Sequence, residues 1–192
     1  MKKKLPKVTF NSPLILGFSM ICLIAVIANF ITGGAANSVL FSTYRSSLAS
    51  FFTWLRFFTH VFGHVSWAHL VGNMSYILLL GPGLEEKYGS RKLVLVMAVC
   101  AFVTGVINSL FFGNTALCGA SGIAFAFILL TSFTSFKEGE IPLTFILVAV
   151  IYLGQQIFDG IMIDDNVSNL SHIVGGIVGG TAGYMFNRRK AF

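Results

Sequence analysis

Apolar runs recur along the chain at the length of a membrane-crossing helix. The first extends from Leu14 to Ile31, 18 residues behind a lysine-rich start. Further runs lie near Ser66–Pro82, Lys92–Phe111, Cys118–Phe136, Ile141–Phe158 and Leu170–Phe186. Each approaches the ~20 residues needed to cross a hydrocarbon core. The pattern therefore predicts an all-α, polytopic membrane protein with six transmembrane helices. Pro142 falls in the first turn of the fifth run, where the missing N–H costs nothing. The first run exceeds a signal-peptide core of about 7–15 residues, so a retained first span is expected. Gly33-Gly34-Ala35-Ala36 does offer small residues for cleavage, which would leave the downstream topology unchanged.

Between the first two runs, Gly33 to Ser66 is too polar to span and too aromatic for a plain linker. Phe51, Phe52, Trp54, Phe57 and Phe58 stand among serines, with Arg45 and Arg56 between them. Aromatic rings mixed with arginine suit a segment lying in the membrane interface.

Composition agrees with the pattern. Of 192 residues 55% are apolar and only 10% charged, against about 25% charged in a soluble domain. So few charges cannot cover a compact water-soluble fold, and the same numbers exclude disordered, collagen-like and disulfide-built chains. Six spans consume ~120 residues and leave no room for a second domain. The expected organisation is a cytoplasmic tail over 1–13, a membrane domain over 14–186 and a cytoplasmic tail over 187–192. Cys22, Cys100 and Cys118 lie in apolar runs without metal-ligand spacing and read as small packing residues.

The net charge of +6 is placed for a membrane and not for nucleic acid. Lys2, Lys3, Lys4 and Lys7 stand at one end, and Arg188, Arg189 and Lys190 at the other. Sorted by alternating loops, eleven of the 13 basic residues fall on one side and two, Arg45 and Arg56, on the other. The positive-inside rule then places both termini in the cytoplasm of a cell-membrane protein. Asp159, Asp164 and Asp165 all fall in one outer loop.

Strongly polar groups inside spans are costly and mark function by default. His69 and Asn73, four apart, share a helical face in the second span. The fourth opens with Gly119-Ala120-Ser121-Gly122 and the sixth with His172. All three spans run from outside to inside, so these groups share one outer layer. Singly, each has a packing role: Ser121 as a helix cap, His172 as a hydrogen-bonded histidine, and Gly175 and Gly179 as a close-packing face. Together they supply more. His172, Gly175 and Gly179 form one stripe, and small residues there could bring the imidazole to the Ser121 hydroxyl. Ser121 and His172 could act as nucleophile and base, with Asn73, His69 and the Ser121 N–H as oxyanion donors.

No carboxylate occupies the outer half of a span, so this would be a dyad and not a triad. His60 and His64, at i and i+4, could be metal ligands, but nothing completes such a site, and neither metal nor cofactor is expected. The chain has no His-Glu-x-x-His string and no aspartates on facing spans, which removes the metallo- and aspartyl intramembrane proteases. A transporter or channel would show paired charges within spans or matching half-repeats, and neither is seen.

In order and spacing these residues resemble the rhomboid family of intramembrane serine proteases, in its compact six-span form, over about Trp54–Tyr184. Arg56-Phe57-Phe58-Thr59-His60, then His64, Ser66, His69 and Asn73, are similar to the family's first loop and second span. Gly81, Glu85 and Gly89-Ser90 are similar to the turn that follows. Gly119-Ala120-Ser121-Gly122 resembles its Gly-x-Ser-Gly, and His172-x-x-Gly175-x-x-x-Gly179 its last-span motif. The resemblance implies cleavage of peptide bonds in or near transmembrane helices of membrane-protein substrates, with lipids as the other partners. Ser121 would be the nucleophile and His172 the general base. His69 and Asn73 would bind the oxyanion together with the Ser121 amide, and Gly119 would belong to the same substrate-binding loop. The site would open to the outer side. Span five and the loop at Asp159–Ser168 would correspond to gate and cap. The alternative is a catalytically silent rhomboid-like binder or chaperone of transmembrane helices; loss of the serine or histidine would favour it, and both are present.

Two positions depart from the family pattern. Phe125 stands where relatives often carry a tyrosine against the catalytic histidine, which keeps stacking and loses a hydroxyl contact. Trp54 lies two residues before Arg56, whereas relatives commonly have the pair adjacent.

Overall fold

A computed structural model describes residues 9–112, 115–134, 141–162 and 166–188. Among them are seven α-helices: α1 Pro13–Ile31, α2 Phe51–Thr59, α3 Trp67–Tyr88, α4 Ser90–Phe111, α5 Ser121–Ser132, α6 Leu143–Met162 and α7 Asn166–Arg188. No strand occurs among the described residues; a lone antiparallel bridge pairs Thr43 with Leu117. Lys2, Lys3, Lys4, Lys7, Lys137, Asp164, Asp165, Arg189 and Lys190 lie outside the described residues, as do the side chains of Asp159 and Arg188.

Each boundary has a local cause. Proline at the first position of α1 forfeits an N–H that has no helical partner in any case. The Ser66 hydroxyl caps α3 by accepting from the His69 N–H at 3.1 Å. The apolar pattern predicts the second span to end at Pro82, but α3 continues through it to Tyr88 and stops at Gly89, whose φ is +81°. Burial of Leu84 and Glu85 holds that last turn helical. The fourth helix is shorter than the predicted Cys118–Phe136, because the residues before Ser121 are engaged in other bonds. Leu117 exchanges two 2.9 Å backbone bonds with Thr43, and the Gly119 N–H donates to the His60 carbonyl at 3.0 Å. The carbonyl of Pro142 starts α6 by accepting from Phe145 and Ile146. The last helix begins at Asn166, four residues before the predicted Leu170, so His172 sits in its second turn and not at its opening.

Contacts between helix ends define two layers. In one, the start of α1 meets the end of α3: the Glu85 carboxylate accepts from the Leu14 N–H at 3.0 Å, the Ile15 N–H at 3.2 Å and the Ser12 hydroxyl. The Ser90 hydroxyl at the start of α4 also donates to Glu85, at 2.7 Å. The end of α7 joins this layer, where the Asn187 amide donates to the Tyr88 hydroxyl at 3.1 Å. Lys87, Arg91 and Lys92 belong to it. At the opposite end, the Arg45 guanidinium donates to the carbonyls of Ser109 and Leu110 at the end of α4. Among the described basic side chains, Arg45 thus lies at one end of the bundle and Lys87, Arg91 and Lys92 at the other.

Helices α5 and α7 run in the same direction in direct backbone contact. A Cβ on Gly175 would lie 3.0 Å from Gly122 Cα, and one on Gly179 would lie 2.6 Å from Ala126 Cα. The glycine stripe is therefore the seam between these helices, as close packing of small residues requires.

Two helices among the described residues, Pro13–Ile31 and Ser90–Phe111, are long and apolar enough to cross a membrane by themselves. The helix at Ser121–Ser132 is apolar but shorter, while α3 and α7 carry the polar groups and glycines of the site.

The Gly33–Ser66 segment is ordered. Gly33 and Gly34 turn the chain at φ +59° and +97°, and Asn37–Phe41 forms a wide helical turn. Helix α2 exposes Phe51, Phe52, Trp54 and Phe58 and buries Thr53, Arg56 and Phe57. Its buried face lies against α4, where a Cβ on Gly105 would be 3.0 Å from Phe57 Cα. Arg56 is not an interfacial charge facing lipid. It is 6% exposed, donates to Ser46 Oγ at 2.8 Å and stacks its guanidinium 4.4 Å from the Tyr44 ring centroid.

Candidate active site

Ser121 is the first residue of α5, with Ala120 at the capping position. The sequence offered Ser121 itself as a cap; the structure places it one step further in. Its N–H is one of the leading amides of a helix, which have no intrahelical acceptor and sit at the positive end of the dipole. The preceding loop is held by Gly119, whose φ of +130° is open to glycine and strained for other residues. The Gly119 N–H donates to the His60 carbonyl. Its contribution is conformational and steric. A Cβ there would sit 2.7 Å from His69 Cε1, 2.8 Å from His69 Nε2 and 3.6 Å from Asn73 Nδ2.

That last set of distances brings the second span to the serine loop. His69 and Asn73 lie on one face of α3, as their spacing predicts, and both address the backbone immediately before Ser121. Asn73 is 7% exposed, yet its Nδ2 has no hydrogen-bond partner, and neither does His69 Nδ1. An unsatisfied buried amide is unusual in a native fold and calls for a reason.

His172 reaches the same place from α7. Its imidazole stacks on Phe125, ring centroids 4.3 Å apart and planes within 2°. Phe125 is one turn after Ser121 on α5, so the histidine lies along the helical face that carries the serine. Tyr152 of α6 meets Phe125 edge-on at 6.0 Å. Nothing in the sequence singled out Tyr152; aromatic residues in an apolar helix are too common to signal a partner on the preceding helix. Glycines at 175 and 179 permit the close approach of α7, and Gly122 lies 3.3 Å, measured from its ideal Cβ, from the Ser171 carbonyl.

The upstream histidines support the site from below. His60 and His64 do not share a helical face, because α2 ends at Thr59 and His60–Phe62 forms a tight 3-10 turn. Each binds a backbone carbonyl: His60 Nε2 lies 3.0 Å from Ala101 O on α4, and His64 Nδ1 lies 3.1 Å from Phe62 O. Burial pushes the His60 imidazole down to about 4, against the opposing pull of the Ala101 carbonyl. Burial, with some repulsion from His69, also pushes His64 down to about 4. Both are neutral at pH 7. The His64 ring packs edge-on against His69 at 4.9 Å and so buttresses it. Among the described residues no group of three or more His, Cys, Asp or Glu could hold a metal ion.

Glu85, at the far end of α3, takes no part in this pocket. Burial alone would raise its carboxyl, but hydrogen bonds from Ser12, Ser90, Leu14 and Ile15 outweigh that and hold it below the ordinary carboxylate value. Sequence similarity pointed to this residue but not to its task, which is to cap α1 across 70 residues of chain.

A helical layer with an amide donor, a serine at a helix start and a stacked imidazole is chemically able to activate a hydroxyl and stabilise an oxyanion. The family model described as Rhomboid domain matches residues 52–189. Among curated proteins, the rhomboid protease GlpG of Serratia proteamaculans (strain 568) is 27% identical over 183 residues, covering 93% of this chain and 64% of that protein. The rhomboid protease GlpG of Yersinia pestis (strain Pestoides F) is 29% identical over 184 residues, with the same coverage. The chain thus spans 64% of the length of these relatives.

Proposed function

Since the chain belongs to the rhomboid family, an integral membrane family, we propose that it is an intramembrane serine protease that cuts membrane-protein substrates in or near their transmembrane segments. The observation that carries this reading is the unpartnered Asn73 amide aimed at the loop that presents Ser121, across from the Phe125-stacked His172. In the proposed reaction His172 takes the proton from Ser121 Oγ as the hydroxyl attacks the scissile carbonyl. The negative charge that develops on the carbonyl oxygen is met by Asn73 Nδ2, a His69 N–H and the Ser121 backbone N–H. These donors are fixed before substrate arrives, so no reorganisation is needed at the transition state. His172 then protonates the leaving amine, and water admitted from the outer side hydrolyses the acyl-enzyme by the reverse sequence. Phe125 replaces a carboxylate as the group that orients the imidazole, in keeping with a dyad.

The six-span arrangement, cytoplasmic termini and 14–186 membrane domain belong to the same proposal. They are supported by the sorting of Lys87, Arg91 and Lys92 to one end of the bundle and Arg45 to the other.

The test is cleavage of a transmembrane model substrate by purified protein in detergent, with Ser121→Ala and His172→Ala alongside. Activity should vanish in both, and a fluorophosphonate should label the wild type and not the serine variant. Unchanged cleavage in either variant would sink the dyad.

A further inference from the structure

An apolar cavity lies away from this site, on the flank formed by α1, α4 and the turn after α2. Its volume is about 390 Å³ and every side chain lining it is apolar. Phe18, Val61, Met97, Ala101 and Ile123 form a buried floor, whereas Ile21 and Val94 are half-exposed at the rim. The proposed dyad and oxyanion donors do not line it. Along α1 the trough extends from Pro13 to Ile21, which at 1.5 Å per residue is about 12 Å. That is close to the ~15 Å hydrocarbon depth of one leaflet. A trough of this length with an entirely apolar lining suits an extended hydrocarbon chain.

Charge decides what head such a chain carries. Arg91, Val94, Ala98 and Ala101 follow one stripe of α4, so the guanidinium lies one turn beyond the trough's end. Arg91 is exposed and bonds to none of the described residues. Of the other described charges at this end, Lys92, Glu85 and Glu86 are engaged or face elsewhere. Lys92 lies 5.1 Å over the Phe186 ring, and Glu85 is held by its four donors. Glu86 borders a separate polar cleft with Asn11 and Ser90. An unpaired arginine one turn from the mouth of an apolar trough matches a lipid phosphate, which its planar fork binds with two hydrogen bonds. The geometry points to a site for one anionic phospholipid, with an acyl chain in the α1/α4 trough and its phosphate on Arg91. The lipid comes from the leaflet at the N-terminal end of α1 and ties that end to α4.

Native mass spectrometry of the detergent-purified protein tests this without reading proteolysis, so its outcome is separate from that of the catalytic proposal. The protein is titrated with phosphatidylglycerol and phosphatidylcholine of equal chain length. Wild type should retain one phosphatidylglycerol at least fivefold better than phosphatidylcholine. A Cβ at Gly17, which lines the trough, would meet nothing within 4 Å, so Gly17→Leu is the variant chosen to fill it. That variant should retain at least fivefold less of either lipid. Ala98→Leu, on the opposite wall, should do the same and decides the matter if Gly17→Leu proves unstable on thermal unfolding. Arg91→Gln should keep the chain and lose the preference for the anionic head. No retained lipid in wild type, full retention in a folded filling variant, or undiminished selectivity in Arg91→Gln would overturn the site.

Discussion

Adjacent glycines on α7 provide a sharp test of how the helix seam supports catalysis. A Cβ at Gly179 would lie 2.6 Å from Ala126 Cα and overlap the Ala126 carbonyl, whereas one at Gly180 would meet only the Phe145 ring at 3.7 Å. Ordinary carbon contacts begin at about 3.5 Å, so Gly179→Ala must push α7 away from α5 by about 1 Å. Overpacking of this kind costs about 1–3 kcal/mol, and the helix propensity of alanine returns about 1 kcal/mol. The net loss is about 0–2 kcal/mol, or a Tm lower by up to ~8 °C at ~2–4 °C per kcal/mol in a domain of this size. Function should suffer more than stability. The displaced α7 carries His172, and a misplacement of ~1 Å can cost ~100-fold in rate. Gly180→Ala keeps only the propensity gain, so its Tm should rise by a few degrees with activity unchanged. The assay is thermal unfolding in detergent beside turnover of a transmembrane substrate. If Gly179→Ala cleaves within about threefold of wild type, or if the two variants behave alike, the seam does not set the position of the histidine.

Three further outcomes follow from the site and its supports. Asn73→Ala should lower kcat by about 100-fold with KM little changed, as expected for a donor used mainly in the transition state; an unaltered kcat would remove that role. Phe125→Tyr should keep the stacking and the rate, while Phe125→Ala frees the imidazole and should reduce kcat about tenfold, consistent with an aromatic pair worth ~0.5–1.5 kcal/mol. Glu85→Gln should destabilise the fold by about 1–2 kcal/mol through loss of the α1 cap. Because the folded carboxyl lies below its ordinary value of 4.5, its contribution is complete above that pH and lost as pH falls through the lowered value. Wild-type Tm should therefore fall towards that of the Gln variant on acidification below about pH 4.5, and parallel curves would refute the assignment.

The chain's own pattern was sufficient to locate most of the helices and to place the candidate residues on them. Periodicity put His69 and Asn73 on one face, and the alternation of runs put the starts of α3 and α5 at one end, because a helix is a one-dimensional object whose register follows from local spacing. Even the glycine stripe of α7 declared itself, since Gly175 and Gly179, four apart behind His172, leave a visible groove. Sequence could not say where a helix yields to a neighbour. α3 runs through Pro82 because α1 packs on its last turn, and α5 starts late because Leu117 and Gly119 bond to Thr43 and His60. Nor could it assign Glu85 to the cap of a helix 70 positions earlier, bury Arg56 against Tyr44, or commit the Gly119 N–H to the His60 carbonyl. Each of these is a contact between residues distant along the chain, and its energy exists only once the helices have packed. The sequence determined which residues could do the chemistry and roughly at what depth. The packing decided which side chains face Ser121 and which hold the helices that carry it.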